Sequence, residues 1–229
     1  LVEYGRNELL GTCRTELMNP YLISVRLNEN VRGVEGDHVK MIAYLIDLQT
    51  IRILDLLSGV EVASISHDSK VDWLELNASS THLLFRDKKR QLHLYIIAEQ
   101  ERTTLLNYCS YVQWVPQSDV IVAQNRGNLC VWYNVATPER VTLFAIKGEV
   151  EDIERSEGRT EVIVDEGINS VSYALDESLI EFSRALENHD FERAVDILEP
   201  LELSPETEAM WQQLSTFALA GKRLLIAEQ

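Results

Sequence analysis

Four segments of the chain fit one template at a nearly constant spacing. They are Thr50-Ile51-Arg52-Ile53-Leu54-Asp55, Gln91-Leu92-His93-Leu94-Tyr95-Ile96, Asn128-Leu129-Cys130-Val131-Trp132-Tyr133 and Asn169-Ser170-Val171-Ser172-Tyr173-Ala174. Their starts lie 41, 37 and 41 residues apart. A unit of that length, repeated in tandem, hides its apolar faces only by stacking on its neighbours. The repeat therefore constrains the whole region at once.

Alternating apolar positions with turn residues between them divide each unit into short strands. The first unit is expected at 21–28, 39–47, 50–57 and 60–66, and the second at 71–77, 81–87, 91–98 and 102–109. The third follows at 111–115, 120–125, 128–134 and 140–146. The fourth has three strands, at 150–155, 160–165 and 169–175. In Val71-Asp72-Trp73-Leu74-Glu75-Leu76, strict alternation puts Val71, Trp73 and Glu75 on one face and Asp72, Leu74 and Leu76 on the other. Apolar residues on both faces suit strands sandwiched between sheets. Four strands per unit at this period predict WD40-type propeller blades. Trp73, Trp114 and Trp132 recur in matching strands and are expected to be packed within or between blades.

Three and a half blades do not close a ring, which usually needs 4–8. Segment 9–15 reads as the tail of a preceding blade or as a borrowed outer strand, the former fitting better. The start Leu1-Val2-Glu3-Tyr4-Gly5 has neither a methionine nor a signal-peptide pattern, so the chain reads as part of something longer. Expressed alone, it is expected to aggregate through uncovered strand edges.

From residue 176 the apolar period becomes helical, and the charge changes with it. Residues 176–229 carry 12 acidic and 4 basic side chains, a net −8 from under a quarter of the chain, within a total of −16. Leu179, Ile180, Phe182, Ala185 and Leu186 share one helix face. A second helix is expected at 191–198 with Asp190 as N-cap. A third starts at Pro205 behind Ser204 and buries Met210, Trp211, Leu214, Phe217 and Ala218. Gly221 would end it and 222–228 begin a fourth. Short helices of this kind build TPR-like solenoids. The fold class expected is mainly β with C-terminal α: a partial propeller over 1–175 and the start of a TPR-like solenoid over 176–229.

The acidic balance argues against nucleic acid or an anionic membrane as main partner. No apolar run approaches a membrane span. Cys13, Cys109 and Cys130, odd in number and set among apolar residues, read as reduced thiols of a cytosolic protein. Phosphate loops, dinucleotide fingerprints and zinc motifs are absent. His38, His67, His82, His93 and His189 share no ligand spacing. No catalytic residue, cofactor, metal or small-molecule substrate is expected. The loop over 30–38 offers no chemistry, and Asn77-Ala78-Ser79 reads as a plain turn.

Ser66-His67 stands where WD repeats carry Gly-His, Asp87 stands at the tight turn, and Tyr95 replaces the usual Trp. Without a nucleophile motif nearby, His67 and Asp87 are expected to brace loops rather than form a catalytic dyad. Protein contacts are expected at strand ends, at Asp68, Lys70 and Arg126. They are also expected on an acidic helical face exposing Glu181, Glu187, Glu192 and Glu199. Arg86-Asp87-Lys88-Lys89-Arg90 is a basic run in an acidic chain, either a solvated turn or a contact for phosphate or acidic protein.

Longer strings are more specific. Residues 14–18 into 20–28, Val71-Asp72-Trp73-Leu74-Glu75-Leu76-Asn77, Tyr111-Val112-Gln113-Trp114-Val115-Pro116 and Pro205-Glu206-Thr207-Glu208-Ala209-Met210-Trp211 resemble the family of the largest subunit of intraflagellar transport complex B. So do Val122-Ala123-Gln124-Asn125-Arg126 and Leu129-Cys130-Val131-Trp132-Tyr133-Asn134. The resemblance implies the end of a second WD propeller and the start of a helical solenoid. It also implies a non-enzymatic scaffold in cilium and cytoplasm. The partners it implies are other complex B subunits, with motors and complex A reached indirectly. A coat-type WD–helical adaptor in vesicle traffic shares the architecture and is the alternative.

Overall fold

The computed structural model describes residues 12–15, 17, 19–27, 40–156, 158–202 and 205–220. Each repeat becomes one meandering sheet in which strands adjacent in sequence are adjacent in space. A single 3-10 turn, Pro20–Leu22, leads into the first sheet, with the Asn19 side chain accepting from the Tyr21 N–H at 2.9 Å. That sheet is β1 (Ile23–Leu27), β2 (Lys40–Asp47), β3 (Thr50–Asp55) and β4 (Glu61–Ser66). The second is β5 (Val71–Leu76), β6 (His82–Asp87), β7 (Leu92–Ile96) and β8 (Glu101–Leu106). The third is β9 (Tyr111–Trp114), β10 (Ile121–Asn125), β11 (Asn128–Trp132) and β12 (Thr142–Ala145). The fourth has three strands: β13 (Glu149–Ser156), β14 (Arg159–Asp165) and β15 (Ser170–Ala174). All fifteen strands among the described residues fall within or within a residue of the segments that alternation marks out.

The second strands of the first three sheets are buried on both faces, as in Met41–Leu45, Leu83–Phe85 and Ile121–Gln124, whereas the outermost β8 and β12 are mostly exposed. Met41, Ile51, Ile53, Leu74, Leu83 and Phe85 belong to one apolar cluster joining the first two sheets. Polar contacts tie first strands together. Arg26 on β1 reaches the Leu76 carbonyl at 3.1 Å and the Glu75 carboxylate at 2.8 Å, while the Trp114 indole donates to the Glu75 carbonyl at 3.2 Å. Burial raises the Glu75 carboxyl above its usual range, although Arg26 opposes it.

One alternation fails. A β-bulge between Val71 and Trp73 shifts the register, so Val71, Leu74 and Leu76 turn inward together. Trp73 is consequently half-buried, whereas Trp114 and Trp132 are buried. Segment 12–15 is not a strand: it is held by a side chain, with the Thr15 hydroxyl donating to the Leu45 carbonyl at 2.8 Å.

The helices are α1 (Glu177–Glu187), α2 (Phe191–Leu198) and α3 (Pro205–Ala220). Asp176 caps α1 by accepting from Ser178 and Leu179, and Asp190 caps α2 by accepting from Arg193. Phe182, Leu186, Phe191, Leu198 and Leu214 form their shared apolar core. Phe217, expected inside, is 40% exposed, because the buried stripe of α3 runs through Met210, Leu214 and Ala218. None of the helices among the described residues is long and apolar enough to cross a membrane. The expected Ser204 cap, the Gly221 break, the helix at 222–228 and the loop at 30–38 lie outside the described residues.

The chain divides into two compact units, Leu1–Trp114 with Ala123–Cys130, and Val115–Val122 with Val131–Gln229. The surfaces below are treated unit by unit.

Candidate interaction surface

In the first unit, a buried corner holds the loop that carries two of the expected rim residues, Asp68 and Lys70. The loop after β4 is stapled by three backbone bonds: His67 N–H to the Gln49 carbonyl at 2.9 Å, Val71 N–H to Leu48 at 2.8 Å and Lys88 N–H to Lys70 at 2.7 Å. Inside it, His67 Nε2 meets the Asp87 carboxylate at 3.1 Å, and Asp87 also accepts from the Gln91 N–H at 2.9 Å. Arg102 donates to His67 Nδ1 at 2.8 Å. A guanidinium has only donors, so Nδ1 accepts and the imidazole proton sits on Nε2, directed at Asp87. Both ring nitrogens are thereby engaged, which matches a brace and leaves neither for a nucleophile.

His93 lies beside them, and one nitrogen or oxygen from each of His67, Asp87 and His93 falls within 4.8 Å of the others. The geometry suits packing better than metal binding. His67 Nε2 already carries its proton, and the Arg102 charge lies against the ring. His93 stacks on Phe85 at 4.9 Å and faces Thr104 at 3.0 Å, and burial lowers its pKa to about 4, keeping it neutral. Its Nε2 is buried without a hydrogen-bond partner among the described residues.

Asp68 and Lys70 project from the braced loop and are exposed, Asp68 at 78% of its side chain. The Asp68 carboxyl is held below its usual range, first of all by its own backbone N–H. Arg126 is exposed at the turn after β10, with its guanidinium 5.8 Å from the Tyr108 ring centre. Both Arg126 and Arg90 adopt left-handed backbone, with φ of 55° and 67°. The corresponding turn of the fourth sheet uses Gly167 at 89°. A side chain in that conformation costs on the order of 1 kcal/mol.

The second unit corrects the acidic face. Glu192 and Glu199 are exposed, but Glu181 and Glu187 are not. Glu181, 19% exposed, binds Arg155 at 2.8 Å and Arg184 and Arg193 at 2.7 Å each. Burial alone would raise its pKa, yet the surrounding arginines, led by Arg184, hold it low. Arg155 also binds Glu177 and the Pro116 carbonyl, each at 2.8 Å, so α1 is docked through a shared guanidinium. Further polar contacts hold the start of α1 and the middle of α3. The Asp176 N–H donates to the Tyr133 hydroxyl at 3.0 Å, and Asn134 donates to Gln213 on α3 at 2.7 Å. These docking residues carried no periodic signal, since their partners lie far away in sequence.

Glu187 accepts from the Asp119 N–H at 3.2 Å and from Ser183 at 3.3 Å. Burial, then the Asp119 charge, pushes its pKa up to about 8. A carboxyl with a raised folded-state pKa binds its proton more tightly in the folded chain, so its contribution falls as pH rises from the ordinary carboxyl range to about 8. Glu187→Gln is expected to remove that decline and to leave α1 docking unchanged or firmer at pH 8. Hydrogen exchange of α1 amides in the full-length protein, followed across pH, checks this. The same decline in wild type and variant would be the contrary result.

Cys109 and Cys130 are buried, and burial pushes their thiols up to about 12 and about 11, the behaviour of unreactive core sulfur.

Four-stranded meanders on a repeat near 40 residues, braced by a His–Asp corner and followed by helices, define a partial WD40-type β-propeller with the start of a helical region. The family model described as the IFT80 second beta-propeller matches residues 25–151, and the chain belongs to that family. Over its whole length the chain is 67% identical to intraflagellar transport protein 172 of Chlamydomonas reinhardtii. It is 60% identical to the Danio rerio homologue and 56% to the Homo sapiens homologue, again across 100% of this chain. It spans 13% of the length of each of these relatives.

Proposed function

We propose that this chain is a protein-binding segment of a non-enzymatic scaffold subunit of intraflagellar transport complex B. In this reading residues 1–175 are propeller blades and 176–229 begin a TPR-like solenoid. The partners are other complex B subunits, with motors and complex A reached indirectly, and the place of action is the ciliary base and axoneme. The observation that carries the reading is identity along the entire chain to proteins named for intraflagellar transport. The geometry supports it: Asp68 and Lys70 emerge from the braced loop, Arg126 emerges from the turn after β10, and the exposed Glu192 on α2 and Glu199 just after it leave a negative surface.

The test is to tag the full-length protein in ciliated cells and purify it from isolated cilia. Co-purification with complex B subunits is expected. Recovery with vesicle coats and exclusion from cilia would replace the reading with a coat-type adaptor. Charge reversal at Glu192 and Glu199 is expected to lower recovery of at least one subunit in a salt-sensitive manner. Unchanged recovery at low and high salt would take the helical face out of the interface.

A further inference from the structure

We propose that the turns of the second and third sheets form a basic docking rim for an acidic segment of a partner protein. The proposal rests on the protein-binding reading above and names the chemistry of one partner. Lys70, Lys88, Lys89, Arg90 and Arg126 are all exposed and all lie in the first unit. They are contiguous: Lys88 N–H binds the Lys70 carbonyl at 2.7 Å, and Cys109 N–H binds the Arg90 carbonyl at 2.8 Å. Beside Cys109, Tyr108 carries Arg126 against its ring. Five cations thus collect in a chain whose net charge is −16.

Acidic residues nearby do little to cancel them. Asp68 forms an exposed ion pair with Lys89 at 3.9 Å and offsets part of that one charge, weakly because both groups are solvated. Asp72 is taken up by Arg86 at 2.9 Å, and Arg86 also donates to the Ser110 carbonyl, so neither adds to the rim. Asp87 is buried in the His67 corner. Asp47, on the neighbouring turn of the first sheet, accepts from the Gln49 N–H and bounds the patch on that side.

Backbone conformation adds a detail: of the six non-glycine residues with left-handed backbone among the described residues, two lie in this rim. At two turns of this rim the left-handed position, which favours glycine, is held by arginine. In both cases the side chain is a guanidinium, suited to paired hydrogen bonds with carboxylates. The exposed Tyr108 ring offers a flat apolar contact between these charges. The small size of the patch selects the partner. The chain carries a net −16, so a vesicle surface or long polyanion meets a net repulsion, whereas a short acidic segment touches the rim alone.

The experiment measures binding of a fluorescein-labelled peptide rich in Asp, Glu and Tyr to the full-length protein by fluorescence anisotropy at low and high salt. Lys88→Glu with Lys89→Glu, and separately Arg126→Glu, are each expected to weaken binding about tenfold, with most of the difference lost at high salt. Arg159→Glu, an exposed charge of another sheet, is the control. Arg126→Gly separates binding from folding: it is expected to lose peptide affinity while the melting temperature stays level or rises. Equal affinity across the rim variants, or loss only where the melting temperature falls, overturns the proposal. So does tighter rim-dependent binding of phosphatidylserine vesicles or duplex DNA than of the peptide. The same proteins are assayed for recovery of complex B subunits. Recovery by wild type without rim-dependent peptide binding removes the rim and leaves the scaffold reading standing. Failure of wild type to recover those subunits removes the scaffold reading.

Discussion

Trp132→Ala is expected to destabilise the third sheet by about 3–5 kcal/mol, the range for truncating a fully buried aromatic side chain. Trp132 is 1% exposed, and its indole N–H donates to the Pro138 carbonyl at 2.9 Å. Alanine would leave a cavity and also strand that carbonyl. Trp73→Ala is expected to cost much less, because a half-buried ring at a bulge gives up less contact and the site relaxes more easily. Native-state hydrogen exchange of β11 amides in the full-length protein measures the local loss, which is appropriate where a large protein does not unfold in one step. Unchanged protection in Trp132→Ala, or a larger loss in Trp73→Ala, would show that the packing has been assigned to the wrong indole.

The second large effect is expected at Asp87. Asp87→Ala removes the acceptor for the His67 imidazole and for the Gln91 N–H, leaving a buried imidazole donor unpaired at about 1–3 kcal/mol and a half-buried amide at less. The damage should spread to the loop carrying Asp68 and Lys70, since the same corner is held by the Lys88–Lys70 and His67–Gln49 backbone bonds. Asp87→Asn keeps an acceptor for Gln91 but risks setting its amide against the His67 N–H, so an intermediate loss is expected. Exchange rates at His67, Val71 and Lys88 amides report the change directly. If alanine and asparagine behaved alike and left these amides protected, the corner would not be the brace of the rim.

Much of this architecture was legible in the chain itself. Strand segments in all four units could be placed because a half-buried or sandwiched strand repeats every two residues, and the change to a helical period after residue 175 is equally local. Asp190 could be named as a cap because capping needs only an oxygen a few residues before the first open amides. His67 and Asp87 could be paired because a familiar turn pattern carries both.

What tertiary structure alone decided was how polar side chains are used. Glu181 and Glu187 read as solvent-facing charges from helical spacing, yet both are spent on docking α1 to Arg155 and Asp119. Glu75, a charge in an apolar strand, proved to join the Arg26 side chain and, through its carbonyl, the Trp114 indole, partners 49 and 39 residues away. The bulge at Trp73 and the left-handed arginines of the rim were equally hidden. Periodicity records which face of an element is apolar, because burial acts on every turn or pleat alike. A single long-range hydrogen bond, or one extra residue in a strand, leaves no period to read, so only the folded chain could place them.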